Sequence, residues 1–403
     1  MNVYEQLGVR TASNAKGPAT RLSGGIMRSE VAAAMAEASR HCVDMAELQA
    51  RASEVIAGAT GAEAGYVASG AAACLLLGTA ACVAGLEPSR MARLPDTSGM
   101  KDEVVVVRSQ RNFYDHAVRA AGVRLVEVGL PDRYSGAGVR DAEAWEIADA
   151  ISPRTAAVFY VVDRFARPSL PEVVAVAHAA GVPVLVDAAA QLPPQANLRR
   201  FIAEGADLVA FSGGKAIGGP QASGILCGRR DLVMSAALQH LDLDIFWAQW
   251  SPPAALIDKA RLKGVPQHGI GRPCKAGKEE IVGLLTALQM FVAEGDAARH
   301  RRWLDMMQQL AAGLGGLAGF GVTLTGADDV GEVPGIDLLL ARDAGIDALG
   351  LVVALQEGAP PIHVDPPLVD RGIVQLNPMC LQPADVGGVV EGVRNALAGR
   401  ARP

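Results

Sequence analysis

The chain has 403 residues, of which 50% are hydrophobic and 20% are charged. This composition excludes a largely disordered protein, and at roughly 150 residues per domain the length predicts two or three domains. The formal net charge is −6, whereas nucleic-acid binders usually carry a basic surplus, so we expect no nucleic-acid partner.

The cysteines, histidines and apolar segments bear on metal binding and location. The six cysteines form no C-x-x-C pair and the seven histidines show no ligand spacing, so we expect reduced thiols, no metal site and a cytoplasmic protein. The first ten residues have no apolar core, so no signal peptide is predicted. Residues 65–86 carry no charge over a length that could span a bilayer, but they begin like a strand and continue rich in Ala and Gly. We therefore predict a helix buried under a sheet and no membrane partner.

Residues 1–55 are predicted to form an N-terminal arm that packs on the rest of the chain. They show no strand alternation, and residues 27–52 carry apolar side chains at helical spacing, including Val31, Met35 and Leu48. The arm is therefore expected to be helical.

Residues 56–275 are predicted to form the large domain, because short apolar runs alternate there with helical stretches. Strands are expected at 64–68, 103–108, 124–128, 156–162, 182–187, 207–212 and 223–227. Helices are expected at 70–84, 114–121, 142–151, 171–180 and 198–204. This alternation favours right-handed crossovers and a mostly parallel sheet. The segment from residue 229 to 275 is expected to be irregular.

Residues 276–403 are predicted to form a smaller α+β domain. Helices are expected at 279–293, 296–314 and 384–398, and strands at 321–325, 336–341, 349–355 and 372–376. The whole chain is thus predicted to be an α/β protein with a small C-terminal domain.

Three predicted strand ends carry unusual residues, and ligands of open α/β sheets bind at the carboxyl ends of strands. The first is Ser69-Gly70-Ala71, which follows a strand and opens a helix. Main-chain N–H groups and the helix dipole favour an anion at such a position. The alternative is an ordinary helix cap by Ser69.

The second strand end is Asp187, which closes a very apolar strand. An unpaired buried carboxylate is costly, so Asp187 needs a partner, and no basic residue follows it closely. The alternative to a ligand is that Asp187 caps the start of a helix or takes a partner from a distant loop.

The third strand end is Ser212-Gly213-Gly214-Lys215. A lysine framed by glycines at a strand end is poorly hydrated, which lowers its pKa and makes its amine a nucleophile. A phosphate-binding P-loop is excluded, because it needs Gly at position 209 and Ser or Thr at position 216, where Val209 and Ala216 stand. The alternative is a lysine in a solvent-exposed turn.

Together these three strand ends match the requirements of pyridoxal phosphate. Lys215 would form the Schiff base, Asp187 would stabilise a protonated ring nitrogen, and the helix that begins after Ser69 would hold the phosphate. Ala189 is small enough to lie against one ring face. The other face needs a planar side chain from residues 109–116.

Several short motifs and one longer block together carry a resemblance to a known group of proteins. They are residues 14–17 with Thr20, 60–64, 69–72, 186–189, 212–215 and the block GRPCKAGKEE at 271–280. In these motifs the chain resembles fold-type I pyridoxal-phosphate enzymes, specifically the group similar to L-seryl-tRNA(Sec) selenium transferase and D-glucosaminate-6-phosphate ammonia-lyase.

The resemblance implies a seven-stranded sheet, a homodimer or larger homo-oligomer, and a site shared between subunits. It implies that Lys215 binds the cofactor, that Ser69, Gly70, Ala71 and Ser212 serve its phosphate, and that Gly271 lies near a neighbouring subunit's phosphate. Where relatives carry a ring-stacking histidine, this chain has Gln110. Either Gln110 or His116 is expected to take that place. No tRNA-binding extension is apparent.

Two arginines are candidates for binding a substrate carboxylate or phosphate. Arg272 stands in the block at 271–280, and its alternative role is a salt bridge between subunits. Arg371 stands in the C-terminal domain where many fold-type I enzymes bind the α-carboxylate, and its alternative is an ordinary surface residue.

The function that this reasoning predicts is a pyridoxal-phosphate-dependent lyase. It would catalyse α,β-elimination on a small hydroxylated amino acid or amino sugar acid, free or phosphorylated, and give a 2-oxo acid. The alternatives are a racemase, aldolase or aminotransferase on a similar substrate, or an RNA-linked protein like the selenium transferases.

Overall fold

The structure is a computed structural model, and it describes residues 2–130, 141–341 and 344–398. The chain divides into two compact units. The sheet unit comprises Ser29–Leu192 and Ala196–Gln289, and the terminal unit comprises Met1–Arg28, Pro193–Gln195 and Met290–Pro403. The predicted boundaries at residues 55 and 275 do not coincide with this division, because β-pairing ties the start of the chain to its C-terminal part.

The described residues contain twelve strands and thirteen α-helices. The strands are β1 Ser13–Ala15, β2 Ala64–Ala68, β3 Glu103–Val107, β4 Arg124–Val128, β5 Thr155–Val161, β6 Val184–Asp187, β7 Leu208–Ser212, β8 Gly224–Gly228, β9 Phe320–Thr325, β10 Gly335–Leu340, β11 Ile362–Val364 and β12 Ile373–Leu376. The helices are α1 Val3–Gln6, α2 Ser29–Ala38, α3 Met45–Thr60, α4 Ala71–Ala84, α5 Pro88–Met91, α6 Asp115–Ala120, α7 Ala144–Ala150, α8 Leu170–Ala179, α9 Asn197–Ala203, α10 Arg230–His240, α11 Lys278–Leu314, α12 Ala348–Glu357 and α13 Asp385–Ala398.

The sheet unit is built on seven strands in the order β2-β8-β7-β6-β5-β3-β4. The neighbours pair in parallel except for β8, which is antiparallel to both β2 and β7. The predicted mostly parallel seven-stranded sheet is therefore confirmed. Because β8 runs the opposite way, its first residue, Gly224, lies opposite both Ala68 and Ser212 at the carboxyl edge of their strands.

The strands and α4 are apolar because the sheet is covered on its faces. All residues of β2, β3, β6 and β8 are buried, and so are most residues of α4, which packs on the sheet. The uncharged stretch 65–86 thus forms β2 and a buried helix, as predicted.

The terminal unit contains two smaller sheets. Strands β9, β10 and β12 form an antiparallel sheet in the order β12-β10-β9, and β1 pairs in parallel with β11. The buried amide of Asn14 donates to the carbonyls of Gly17 and Gly24, and Lys16 forms an ion pair with Asp365. The Asn14 bonds shape the first residues themselves, whereas the ion pair and the β1–β11 pairing tie those residues to the C-terminal part of the same unit.

Four predictions of secondary structure were wrong or incomplete. Residues 349–355 form helix α12 rather than a strand, because Asp347 caps its N-terminus and its buried residues recur at helical spacing. Residues 230–240, expected to be irregular, form α10. The predicted helix at 27–52 is two helices, α2 and α3, and the short strands β1 and β11 were not foreseen.

Helix α11 was predicted as two helices, and its backbone is non-helical at Gly295, where the two segments meet. Within the described parts of the chain it is the one helix with the length and apolar composition of a membrane span, a criterion that core helices also meet. The two predicted helices at 279–293 and 296–314 match the segments on either side of Gly295.

Candidate active site

The three strand ends with unusual residues lie at the carboxyl edge of the seven-stranded sheet. Strands β2, β7 and β6 run in the same direction, so Ser69, Ser212 and Asp187 come out at one edge. The first residue of β8, Gly224, stands between the ends of β2 and β7.

The turn after β2 approaches Gly224 closely. Gly70 has a φ of 143°, and no side chain caps the helix that starts after it. A Cβ on Gly224 would stand 2.3 Å from the carbonyl carbon of Gly70 and 2.6 Å from the nitrogen of Ala71. Only glycine allows this approach, which leaves the first N–H groups of α4 facing an open, small-residue turn.

The turn after β7 is held by its own main chain. The N–H of Gly213 donates to the carbonyl of Ser223 and the N–H of Gly219 donates to the carbonyl of Gly213, both at 2.9 Å. A Cβ on Gly213 would stand 2.2 Å from the Ser223 hydroxyl oxygen, so this position excludes a side chain. Lys215 follows in this rigid turn and is half-buried.

Asp187 closes β6 and is 8% exposed. Its Oδ1 accepts a hydrogen bond from the N–H of Ala189 at 3.0 Å. Its main-chain carbonyl accepts from Val162, and the N–H of Ala188 donates to Ala210 on β7. The carboxylate is thus fixed at the strand end, and none of the described residues hydrogen-bonds its Oδ2.

Burial and charge act in opposite directions on Asp187 and Lys215. Burial raises the pKa of Asp187, while the Ala189 N–H and the charge of Lys215 lower it. Burial lowers the pKa of Lys215, and the charge of Asp187 raises it. In both residues burial dominates, so both lean toward their neutral forms compared with exposed side chains.

The two candidates for the ring-stacking position lie in different surroundings. Gln110 is 6% exposed at the end of a 3-10 turn after β3, and its Oε1 accepts from the N–H of Val161 at 3.0 Å. His116 is exposed on α6, and its Nδ1 accepts from Arg119 at 3.0 Å. Only Gln110 is tied to the carboxyl edge of the sheet by a hydrogen bond.

The block at 271–280 packs against the end of α10. The N–H of Gly271 donates to the carbonyl of Gln239 at 2.9 Å, and Gly271 is buried. Arg272 donates to the carbonyl of His240 at 2.8 Å and pairs with Asp242 at 3.1 Å. Both residues thereby satisfy main-chain carbonyls at the helix C-terminus.

Sequence reasoning missed a buried chain of polar groups behind the Ser69 turn. The Tyr66 hydroxyl contacts His240 Nδ1 at 2.8 Å, and His240 Nε2 contacts the carbonyl of Cys274 at 2.8 Å. Because a carbonyl only accepts, Nε2 carries the proton and Nδ1 accepts from the tyrosine. The same carbonyl accepts the N–H of Ser69 at 3.2 Å. No sequence signal marked His240, because it depends on a contact between distant segments.

Arg371 belongs to the terminal unit, where it ends a 3-10 turn and is exposed. Across residues 2–130, 141–341 and 344–398, no group of three His, Cys, Asp or Glu side chains could hold a metal ion.

Comparison with known proteins places the chain among enzymes. The model of the SelA family, described as L-seryl-tRNA selenium transferase, matches residues 26–243. The 5'-C-glycyluridine monooxygenase-decarboxylase of Streptomyces sp. is 33% identical over 98% of this chain and 92% of its own length. The D-glucosaminate-6-phosphate ammonia lyase of Salmonella typhimurium is 32% identical over 77% of this chain and 79% of its own. A solved structure of D-glucosaminate-6-phosphate ammonia-lyase has a TM-score of 0.81 at 27% identity, over 100% of this chain and 99% of that one.

The fold and these relatives define a fold-type I enzyme of the pyridoxal-phosphate-dependent kind. The chain belongs to the SelA family, the family of L-seryl-tRNA selenium transferase, and it is an enzyme. The resemblance predicted from the short motifs and the block at 271–280 is therefore confirmed.

Proposed function

We propose that this protein is a pyridoxal-phosphate-dependent lyase of the ammonia-lyase or dehydratase type. It catalyses α,β-elimination on a small hydroxylated amino acid or amino sugar acid, free or phosphorylated, and releases a 2-oxo acid. The observation that carries this proposal is that β6 and β7 run parallel, so the buried carboxylate of Asp187 and the turn that carries Lys215 come out at the same edge of the sheet. The likeness to D-glucosaminate-6-phosphate ammonia lyase supports elimination as the reaction.

Three features of the site fit pyridoxal phosphate. The turn at Ser69 and Gly70 presents uncapped N–H groups at a helix N-terminus, which suits a phosphate, with Ser212 on a nearby strand end. The free Oδ2 of Asp187 suits a protonated ring nitrogen, which would also stabilise the buried carboxylate. The amine of Lys215 suits covalent attachment to an aldehyde carbon.

Ala71 and Ala189 complete the proposed cofactor contacts. Ala71 is the first residue of α4 and would offer its N–H to the phosphate. Ala189 would lie against one face of the ring, and Gln110 or His116 would cover the other face.

Asp187 and Lys215 have different roles in the proposed reaction. Bound pyridoxal phosphate supplies an electron-accepting ring that stabilises negative charge on the substrate carbon. Asp187 Oδ2 would hold a proton at the ring nitrogen, and the Ala189 N–H on Oδ1 keeps the carboxylate in place. Lys215 Nζ, whose pKa burial lowers, accepts the α-proton as a general base and then donates it to the departing β-hydroxyl.

Arg272 and Arg371 are proposed to bind the carboxylate or phosphate of the substrate. The active form is proposed to be a homodimer or larger homo-oligomer, with Gly271 near a neighbouring subunit's phosphate. Light scattering of the purified protein tests the assembly, and a monomer with full activity contradicts it.

The direct test compares Lys215→Ala with Lys101→Ala, a variant of an exposed lysine. Wild type and K101A are expected to show the visible absorbance of lysine-bound cofactor, and K215A to lack it while unfolding at the same urea concentration. Wild type should also form 2-oxo acid and ammonia from one of a panel of D- and L-β-hydroxy amino acids. Intact turnover by K215A, or wild type without the absorbance band, contradicts the proposal.

A second candidate, an oxygen-dependent decarboxylation, is favoured by the likeness to 5'-C-glycyluridine monooxygenase-decarboxylase over 98% of the chain. It would use the same cofactor and the same Lys215. Elimination releases a 2-oxo acid without consuming O2, whereas this reaction consumes O2 and releases CO2. An oxygen electrode and a CO2 assay on the same substrate panel separate the two candidates.

A further inference from the structure

The turn after β2 depends on a contact with a distant segment of the chain. Gly70 has a φ of 143°, where residues with a side chain are strained, and a Cβ there would meet nothing within 4 Å. No side chain caps the helix that follows. The N–H of Ser69 donates to the carbonyl of Cys274 at 3.2 Å. This hydrogen bond therefore restrains a turn that has little stiffness of its own.

The carbonyl of Cys274 is in turn held by His240. This histidine is the last residue of α10 and is 3% exposed, and its Nε2 donates to the carbonyl at 2.8 Å. A carbonyl oxygen has two lone pairs, so it accepts from His240 and from the N–H of Ser69 at the same time. One carbonyl thus joins the end of α10 to the turn after β2.

The imidazole of His240 is fixed by Tyr66. The Tyr66 hydroxyl donates to Nδ1 at 2.8 Å, which keeps the imidazole proton on Nε2, and the two rings stand edge to face with centroids 5.3 Å apart. Tyr66 has no exposed surface, and burial raises its pKa, so the hydroxyl keeps its proton at neutral pH. Because Tyr66 and Ser69 follow closely on the same strand, these hydrogen bonds close a ring around the end of β2.

The segment that carries Cys274 is anchored on the same helix end. The N–H of Gly271 donates to the carbonyl of Gln239 at 2.9 Å, and Arg272 donates to the carbonyl of His240 at 2.8 Å. These bonds hold the start of the segment, whereas the His240 imidazole holds its Cys274 end. Loss of the imidazole would therefore release the end that contacts the turn and leave the start in place.

We propose that His240 positions the turn at Ser69 and Gly70 for the phosphate of pyridoxal phosphate. Its Nε2 holds the Cys274 carbonyl, and this carbonyl takes the N–H of Ser69. The next N–H groups, those of Gly70 and Ala71, have no acceptor among the described residues and are left for the phosphate. This assignment rests on the proposed function. Because His240 lies buried behind the turn, it is a positioning residue.

The expected effect of losing His240 is specific for the phosphate. Without the imidazole donor, the Cys274 carbonyl is free to turn away from Ser69, and the N–H groups that follow lose their common direction. A phosphate depends on that direction, because hydrogen bonds to a charged group are about twice as strong as neutral ones. The ring and aldehyde are proposed to bind at Asp187 and Lys215, so their binding should not require His240.

The variant that removes the donor is His240→Leu, and His300→Leu is its matched control. His300 is 5% exposed, and its Nε2 donates to the carbonyl of Gly326 at 2.9 Å within the terminal unit. Both variants lose one buried hydrogen bond to a carbonyl, so urea unfolding should show similar destabilisation. His240→Gln places an amide nitrogen near the position of Nε2 and should restore the bond to Cys274.

The readout is the affinity of the apoprotein for pyridoxal phosphate and for pyridoxal, which lacks the phosphate, measured by fluorescence titration. Wild type and H300L should favour pyridoxal phosphate by the same factor. H240L should lose about 10-fold to 100-fold of that factor with unchanged affinity for pyridoxal, and H240Q should recover most of the loss. If H240L does not fold, His240→Asn takes its place, because its shorter amide stays beside Tyr66 but falls short of Cys274.

The outcomes separate this inference from the proposed function. If the donor-free variant keeps the wild-type factor, loses affinity equally for both ligands, or is not improved upon by H240Q, the positioning role of His240 is overturned while the proposed function stands. An equal loss of the factor in H300L overturns it as well, since general destabilisation then explains the effect. If wild type binds no pyridoxal phosphate, the proposed function fails and this inference fails with it.

Discussion

At the carboxyl edge of the sheet, the charge of Lys215 lowers the pKa of Asp187 and the charge of Asp187 raises the pKa of Lys215. In each residue this effect opposes that of burial. The carboxylate is held by the Ala189 N–H, and the amine stands in a turn that glycines make rigid. The pair thus combines a fixed acid with a lysine whose pKa burial has lowered.

Replacing Asp187 with Asn should lower the pKa of Lys215 further, because the variant removes the charge that raises it. We expect cofactor binding to remain and turnover to fall about 100-fold, since a preorganised charge at the ring nitrogen is lost. The pH dependence of Lys215 labelling by an amine-reactive reagent in the apoprotein, followed by mass spectrometry, checks the pKa. Asp305→Asn, on the surface of α11, should change neither quantity. An unaltered labelling profile in D187N contradicts the electrostatic coupling.

Replacing Gly224 with Ala should disturb the turn at Gly70, because the new Cβ meets main-chain atoms at 2.3 and 2.6 Å. We expect a loss of roughly 1–3 kcal/mol in the free energy of unfolding and weaker binding of pyridoxal phosphate. Urea unfolding and a fluorescence titration measure the two effects. Gly58→Ala in α3, where a Cβ meets nothing within 4 Å, should instead stabilise by up to about 1 kcal/mol. Equal cofactor affinity in G224A and wild type would contradict a role of the Ser69–Gly70 turn in binding the phosphate.

His240 should make the protein less stable as the pH falls. Burial, with the charge of Arg272, lowers the pKa of His240 to about 4, whereas an unfolded chain holds histidine near about 6.5. Because the unfolded chain binds the proton more readily, the stability present above about pH 6.5 is lost as the pH falls toward 4, by roughly 3 kcal/mol in all.

The comparison that isolates this effect is His240→Gln against His41→Gln, which changes an exposed histidine. Both variants and wild type are unfolded with urea at a series of pH values. H240Q should lose less stability than wild type between pH 6.5 and 4, and H41Q should follow wild type. The same slope in H240Q and wild type would show that His240 is not the titrating group.

Replacing Arg371 with Ala should weaken substrate binding without affecting the fold, because the side chain is exposed. If it binds the α-carboxylate as proposed, KM should rise by about 10-fold or more while the urea midpoint stays constant. Arg301→Ala, another exposed arginine of the terminal unit, is the control. A KM equal to that of R301A removes Arg371 from the substrate site.

Much of the sheet unit could be predicted from local patterns. Runs such as residues 103–107 and 184–187 are apolar over the length of a strand, because these strands are covered on both faces. Asp187 and Lys215 could be proposed as site residues because one ends such a strand and the other stands three residues after one, and parallel strands end at one edge. The helix at 349–355 was taken for a strand, since a short apolar run has the same composition in either state.

Other features depend on contacts that no local pattern encodes. Tyr66 and His240 are 174 positions apart, and their hydrogen bond exists only because α10 packs beside β2. The pairing of β1 with β11 joins the two ends of the chain in the same way. The free Nε2 of Gln110 could be recognised only after Val161 was seen to occupy Oε1.

The amino-acid sequence by itself determined the chemical groups at the strand ends and the alternation that makes them meet at one sheet edge, because hydrophobic periodicity is a local property and a helix between two strands favours their parallel pairing. The tertiary structure alone decided which donors and acceptors remain unpaired and where glycine is obligatory. It also decided in which direction burial shifts the pKa values of Asp187, Lys215 and His240. These quantities depend on distances between segments far apart in the chain, and such distances exist only after the fold has formed.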